Sequence, residues 1–228
     1  MALYYQDDHV TLYHGDCLTE HREWLAADVL VTDPPYGMAY IDRQGVTIAS
    51  DNALDARDNA LTLWGDRPAL SFGTWKEPRP DGAKQVLIWD KWGGGGTVTT
   101  ASSPWAYSHE EIYLLGEWPR TEPGGRAREG GQPSKHPGVL RVHNYNTQSA
   151  DRPDHPTPKP VALMESLIEK CPPGVIADPF AGSGSTLVAA RNLGRKAIGV
   201  ELEERYCEII ARRLSQGAFD FTALEATP

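Results

Sequence analysis

The run Asp28 to Thr32, DVLVT, sets apolar side chains at successive positions with no polar alternation. A strand of this kind is buried on both faces, as inside a parallel sheet with helices above and below it. The short β-rich run Val10 to His14 precedes it, and a helix-like stretch from Cys17 to Ala26 lies between. Two such strands joined by a helix make a βαβ unit, so the chain is expected to be of the α/β class. Further strands are predicted in Ala69 to Trp75, Gln85 to Trp92, Glu111 to Trp118, and in the runs GVIAD (from Gly174) and KAIGVEL (from Lys196). Helices are predicted over Leu54 to Trp64, over Val161 to Lys170 with Leu163, Leu167 and Ile168 on one face, and over Glu203 to Leu214. In the last, Tyr206, Ile209, Ile210 and Arg213 follow i, i+3, i+4, i+7 spacing, with the arginine stem expected to snorkel along that face.

A chain of 228 residues can bury one sizeable core, and one domain carrying an insertion is expected. The formal charge of -9 argues against a protein that coats nucleic acid by charge alone. The distribution is uneven, however. From Arg120 to Lys159 seven basic residues face four acidic ones, a local +3, in a polar stretch rich in Gly and Pro. That stretch, at about 121–155, is predicted to leave the sheet as an irregular insertion, and GGGGTVTTASS at about 93–103 as a second loop. Cys17, Cys171 and Cys207 are odd in number and lack paired ligand spacing, so neither a disulfide framework nor a metal site is expected. No apolar run approaches the roughly 18 residues of a membrane span, and acids stand near the N-terminus where a signal peptide would be basic. A cytoplasmic protein is expected.

Two short stretches carry chemistry. In VLVTDPPYG, Val29 to Gly37, Pro34 and Pro35 lock φ and remove two backbone donors, so the strand must stop in one stiff turn. Asp33, bare carbonyls and Tyr36 are thereby fixed side by side. In ADPFAGSGST, Ala177 to Thr186, a buried strand hands over to a helix through Gly182 and Gly184. Glycines there permit a tight turn and let a ligand approach the backbone beside the helix amides. No Lys follows the last glycine, which excludes a phosphate loop, and Leu187 stands where a dinucleotide fingerprint has its third glycine. Glu201 ends the next strand, 19 residues past Gly182, where an acid that accepts ribose hydroxyls is expected. Asp178 adds a carboxylate before the turn. Two acids and a small glycine turn suit a ligand with a ribose and a cationic amino group but no pyrophosphate, a description that S-adenosylmethionine fits.

DPPY at Asp33 to Tyr36 together with DPFAGSGST at Asp178 to Thr186 resembles the amino-methylating DNA methyltransferases, which act on the exocyclic nitrogen of adenine or cytosine. The catalytic motif precedes the cofactor turn, an order similar to the beta group of that family. GDCL at Gly15 to Leu18, HPTPKP at His155 to Pro160 and GVEL at Gly199 to Leu202 extend the resemblance over nearly the whole chain. Two departures stand out: Pro158 replaces a usual glutamine, and the basic RVLKPGG stretch common before the fifth strand is absent. The resemblance implies a doubly wound, mostly parallel seven-stranded sheet of the Rossmann-like methyltransferase kind in circularly permuted order. Both motifs would sit at the carboxyl ends of neighbouring central strands, and the helix at Glu203 to Leu214 would lie beside the strand at Val10 to His14.

It also implies roles. Asp33 and the Pro34 carbonyl would accept the hydrogens of the target amine, Pro35 would stiffen the turn, and Tyr36 would stack on a flipped base. Asp178 would receive the amino group of S-adenosylmethionine and Glu201 its ribose, with Asp16 and Cys17 at the adenine amino group and Phe180 lining the adenine pocket. Gly182 and Gly184 would form the turn, and Thr157 with Lys159 would reach the cofactor carboxylate. In the basic segment, Arg126, Arg128, Lys135 and Arg141 are candidates for phosphates or guanine edges, and Asn144 and Asn146 for adenine edges in double-stranded DNA. Trp89, Trp92 and Trp105 read more readily as core than as base-stacking residues, and His155 as a turn residue. An Asp at the first motif position favours adenine over cytosine-N4 as target. A DNA-binding or S-adenosylmethionine-sensing protein without catalysis is the reading from a different class, and dimerisation is a feature of the beta group.

Overall fold

The structure, a computed structural model, describes residues 3–37, 54–91, 108–119, 138–144 and 152–216. Its frame is a nine-stranded sheet: β1 (Leu3–Gln6), β2 (Val10–His14), β3 (Val29–Thr32), β4 (Ala69–Gly73), β5 (Gln85–Asp90), β6 (His109–Leu115), β7 (Val139–Arg141), β8 (Ile176–Asp178) and β9 (Ala197–Glu201). The order across the sheet is β1-β2-β9-β8-β3-β4-β6-β5-β7. The five strands from β2 to β4 run parallel, whereas β6 is antiparallel to both β4 and β5. The seven strands read from the sequence are all present, and β1 and β7 are added at the two edges.

Each addition has a local cause. Asp7 accepts hydrogen bonds from the His9 and Val10 amides at 2.8 and 2.7 Å, closing a tight turn that folds Leu3–Gln6 back antiparallel onto β2. Within the stretch expected to leave the sheet, Val139–Arg141 returns to it and pairs parallel with β5, because Leu140 and Val142 have apolar surface to bury. The insertion is therefore partly regular. The stretch Cys17 to Ala26 is not a helix but a wrapped loop ending in one 3-10 turn, Glu23–Ala26. It is organised by Trp24, fully buried, whose indole donates to the Cys17 carbonyl at 2.9 Å and stacks on Trp64.

Among the described residues four helices cover the sheet: α1 (Asp55–Trp64), α2 (Val161–Ile168), α3 (Ser185–Asn192) and α4 (Glu204–Gln216). β3 shows why both faces need cover. Val29 and Val31 point into a core formed with α2, α3 and α4, while Leu30 points the other way, against Trp24, Ala60 and Trp64. α4 lies on β1, β2 and β9, so the two ends of the chain's order meet, as the permuted motif order implies. Among the described residues no helix is long and apolar enough to cross a membrane.

Candidate active site

The carboxyl ends of the parallel strands form one edge, and acids crowd it. Running across the sheet, Asp16 follows β2, Glu201 ends β9, Asp178 ends β8 and Asp33 follows β3. From β3 the chain crosses through α1 to β4 on one side, and from β8 through α3 to β9 on the other. Connections diverging in this way leave a crevice between β3 and β8, the topological switch point where open sheets bind ligands. The two sides are tied there: the Thr32 hydroxyl, directly before Asp33, donates to Asp178 Oδ1 at 2.7 Å.

Asp33 stands in a cage of its own. Its Oδ1 accepts the Tyr36 hydroxyl and its Oδ2 faces the Lys159 ammonium at 2.5 Å. Lys159 is 6% exposed, and its ammonium also lies 3.3 Å from Glu110 Oε2 and over the rings of Tyr36 and Phe72 at 5.6 and 5.2 Å from their centroids. Burial pushes the Asp33 carboxyl above its ordinary value despite the attraction of Lys159. The same burial, with the Asp33 charge adjoining, raises the Tyr36 phenol well above its own, so it stays a hydrogen-bond donor. Burial opposes the charge on Glu110 too, but Lys159 and Lys91 outweigh it and hold this carboxyl below its ordinary value.

Asp178 and Glu201 are 2% and 8% exposed. Burial drives Asp178 up to about 6, against hydrogen bonds from Thr186, Thr32 and the Phe180 amide that pull it down. Burial likewise drives Glu201 up to about 7, while the Glu203 and Gly182 amides favour the charged form. Those amides reach separate oxygens, Gly182 to Oε2 at 2.7 Å and Glu203 to Oε1 at 2.8 Å, so Glu201 clamps the glycine turn to the end of β9. Its backbone carbonyl in turn accepts the Gly15 amide at 3.0 Å, which carries Asp16 and Cys17 to its side.

The turn itself depends on Gly184, which has φ 78° at the start of α3. A Cβ there would stand 2.8 Å from Ile210 of α4. Gly184→Ala is therefore expected to destabilise the fold by roughly 2 to 4 kcal/mol, from a disfavoured φ and overpacking together, measured by denaturant unfolding. Leu187 takes up the packing role of the missing third glycine in reverse: it lies on Gly199 of β9, where a Cβ would meet it at 2.6 Å. Arg213 corrects its expectation. Its guanidinium turns inward, donating to the Ser183 carbonyl and approaching Ser185 Oγ at 3.5 Å, so it braces the turn instead of snorkelling to water.

The structure thus brings together Asp33, Pro34, Pro35 and Tyr36 with Asp178, Gly182, Gly184, Glu201, Asp16 and Cys17 along one edge. Phe180 is half-buried over the face that holds Trp24, and Thr157 is half-buried with its amide donating to His155 Nδ1 at 3.2 Å. His155 behaves as a turn residue, its ring meeting Tyr206 edge-on at 4.5 Å. The Lys159 ammonium points to Asp33 and Glu110, two half-buried carboxylates that attract it. Asp16 uses Oδ1 to cap the Leu18 amide at 2.7 Å. Trp89 is core, 1% exposed, its indole donating to the Val142 carbonyl. Of the expected DNA contacts, Arg141 is exposed at the end of β7, 3.6 Å from Asp90, and Asn144 follows it. Arg126, Arg128, Lys135 and Asn146, with Trp92, Trp105 and the glycine loop, lie outside the described residues. Glu110, Thr32 and Ser185 carry site contacts that the sequence did not single out. Among the described residues no group of His, Cys, Asp or Glu could hold a metal ion.

Comparison with known proteins decides what this edge belongs to. The model of the N6 and N4 methyltransferases, described as DNA methylase, matches residues 56–212. The chain belongs to the DNA methylase family. Within reach of this methylase is the Escherichia coli K12 protein named "Putative methylase YubD", 35% identical over 218 residues and 88% of each chain. The type II methyltransferase M.ScaI of Streptomyces caespitosus is 27% identical, covering 94% of this chain and 84% of its own. In fold, the methylase is similar to the cytosine-N4-specific PvuII DNA methyltransferase, with a TM-score of 0.66 at 16% identity over 97% of this chain and 92% of that one. It is also similar to M1.HpyAVI, solved as its S-adenosylmethionine complex, with a TM-score of 0.58 at 20% identity over 90% and 99%.

Proposed function

We propose that this DNA methylase transfers a methyl group from S-adenosylmethionine to the N6 amino group of an adenine flipped out of duplex DNA. The observation that carries the reading is the seat of Asp33: half-buried, caged by Lys159 and Tyr36, and joined through the preceding Thr32 to Asp178 across the switch point. An aspartate in that motif, followed by two prolines, favours adenine over cytosine.

The residues present fit the cofactor. Asp178 and Glu201 are two buried carboxyls whose raised pKa values come from burial; as carboxylates Asp178 would pair with a cationic amino group and Glu201 would accept ribose hydroxyls, and Gly182 and Gly184 leave two positions of the turn without side chains. Asp178 would hold the amino group, Glu201 the ribose, Asp16 and Cys17 the adenine amino group, Phe180 would line the adenine pocket, and Thr157 would reach the cofactor carboxylate. When bound, S-adenosylmethionine supplies an electrophilic methyl carbon on a sulfonium.

The chain's own work is to make the amine nucleophilic. The lone pair of an aryl amine is delocalised into its ring. Hydrogen bonds from its two N–H groups to Asp33 and the Pro34 carbonyl draw the nitrogen toward tetrahedral geometry. Pro34 is buried and Pro35 follows, so the acceptors cannot relax away, which is electrostatic preorganisation. Tyr36 offers a ring face to the extruded base, offsetting roughly 1 to 3 kcal/mol of lost stacking. The basic segment with Arg126, Arg128, Lys135, Arg141, Asn144 and Asn146 faces the duplex in this reading.

Incubation with methyl-labelled cofactor and duplex DNA, then digestion to nucleosides, tests it. Label is expected in N6-methyldeoxyadenosine. Label in N4-methyldeoxycytidine would reassign the target base, and no transfer to any DNA would favour a binding or sensing role.

A further inference from the structure

Glu110 opens β6, whose antiparallel course brings its first residues to the same edge as the carboxyl ends of the parallel strands. Lys91, just past β5, reaches that edge because β5 runs in the same direction as the parallel strands, and its ammonium holds Glu110 Oε1 at 2.5 Å. Glu110 Oε2 is buried and makes no hydrogen bond among the described residues, although Lys159 Nζ stands only 3.3 Å away. A buried carboxylate oxygen held only by a long ion pair is under-satisfied, and its presence calls for a reason. Asp33, two strands across, has the opposite difficulty. Both of its oxygens are engaged, by Tyr36 and by Lys159, so an incoming amine N–H must share an oxygen with one of these donors and compete with the Lys159 ammonium for the charge on Oδ2.

We propose that Glu110 is a positioning residue that receives the Lys159 ammonium when the target amine docks, freeing Asp33 Oδ2 to accept the amine N–H. This rests on the reading of Asp33 as amine acceptor. Closing the Lys159 to Glu110 gap to ordinary hydrogen-bond length takes a shift of roughly half an ångström, within the reach of the last lysine torsions. Lys91, Glu110, Lys159 and Asp33 alternate in sign and sum to zero, so the handover brings no net charge into a buried site. The ammonium also lies over the rings of Tyr36 and Phe72, at 5.6 and 5.2 Å from their centroids, whose faces favour a cation there.

The test is Glu110→Gln, which keeps the shape and removes the charge that draws Lys159 away. With duplex DNA and saturating S-adenosylmethionine, kcat is expected to fall about tenfold or more, with the cofactor Kd within about threefold and the thermal midpoint near wild type. Glu110→Asp should recover part of the loss. In a Lys159→Met background the same substitution should cost less than about threefold, since no ammonium remains to hand over. Wild-type kcat in Glu110→Gln, a loss explained by a lowered midpoint, or a full additional loss in the Lys159→Met background would each overturn the proposal. If Lys159→Met does not fold, the single variant decides by its kcat, cofactor Kd and midpoint. Wild-type protein is the control that separates the two readings: its failure to methylate DNA sinks the proposed function, whereas its activity beside an unaffected Glu110→Gln sinks this inference alone.

Discussion

Asp33→Ala is expected to lower methyl transfer by about a thousandfold or more while leaving cofactor affinity within a few fold. The first half follows from what the side chain does. It is one of two acceptors fixed by the DPP turn, and loss of one preorganised partner of a reacting group commonly lowers kcat by about 10² to 10³. Here the same loss also leaves the nitrogen lone pair conjugated with the ring. The second half follows from geometry. Asp178 keeps its hydrogen bonds from Thr32 and Phe180, and Glu201 keeps both amides, because none of these passes through the Asp33 side chain. Lys159 is not stranded either, since Glu110 remains beside it. Single-turnover transfer to a duplex oligonucleotide, with calorimetry for the cofactor, measures both halves. Retention of more than about a tenth of the wild-type rate would remove Asp33 from the chemistry.

Asp178→Asn is expected to stabilise the ligand-free protein above neutral pH and to weaken S-adenosylmethionine binding by about a hundredfold or more. The carboxyl is pushed up to about 6 by burial, above its ordinary value of 3.8. A raised acid pKa means that the native state holds the proton more tightly than the unfolded chain. Its contribution is therefore intact below about pH 4 and is lost as pH rises through about 6, an amount of roughly 3 kcal/mol at order of magnitude. Asparagine keeps the Oδ1 acceptor for Thr32 and Phe180 and has no proton to lose. The variant should match wild type near pH 4 and exceed it by about 1 to 3 kcal/mol at pH 8 in denaturant unfolding. Glu201, pushed up to about 7, adds a loss of the same sign to both proteins. The charge that burial disfavours is the one a cationic amino group would need, so stability and binding are set against each other. A variant less stable than wild type at pH 8, or one that binds the cofactor normally, would contradict this account.

The parallel centre of the fold was legible because a strand buried on both faces has to be apolar throughout, and Val29 to Thr32 and Ile176 to Asp178 are, up to the acids that end them. The acids and glycines at those strand ends were legible for a related reason: a stiff proline turn and a glycine turn leave few conformations open, so local sequence nearly fixes local shape. Edge strands are hard to read because β1 and β7 are three or four residues long and half exposed; β1 depends on the Asp7 turn that folds it onto β2, and β7 on pairing with β5, some 50 residues earlier in the chain. The stretch Cys17 to Ala26 read as a helix because propensity is local, whereas its shape is set by Trp24 seeking Trp64, 40 residues on. Glu110 looked like an acid at the start of a strand and nothing more.

What the sequence determined alone was the class of the sheet, the order of the motifs and the short segments that carry carboxylates to the ends of buried strands, since each follows from contacts within a few residues. What only the tertiary structure decided was which charges meet. Lys159 sits on Asp33, Glu110 waits beside it, and Arg213 turns inward to the glycine turn, because charges removed from water seek partners across the whole fold rather than along the chain.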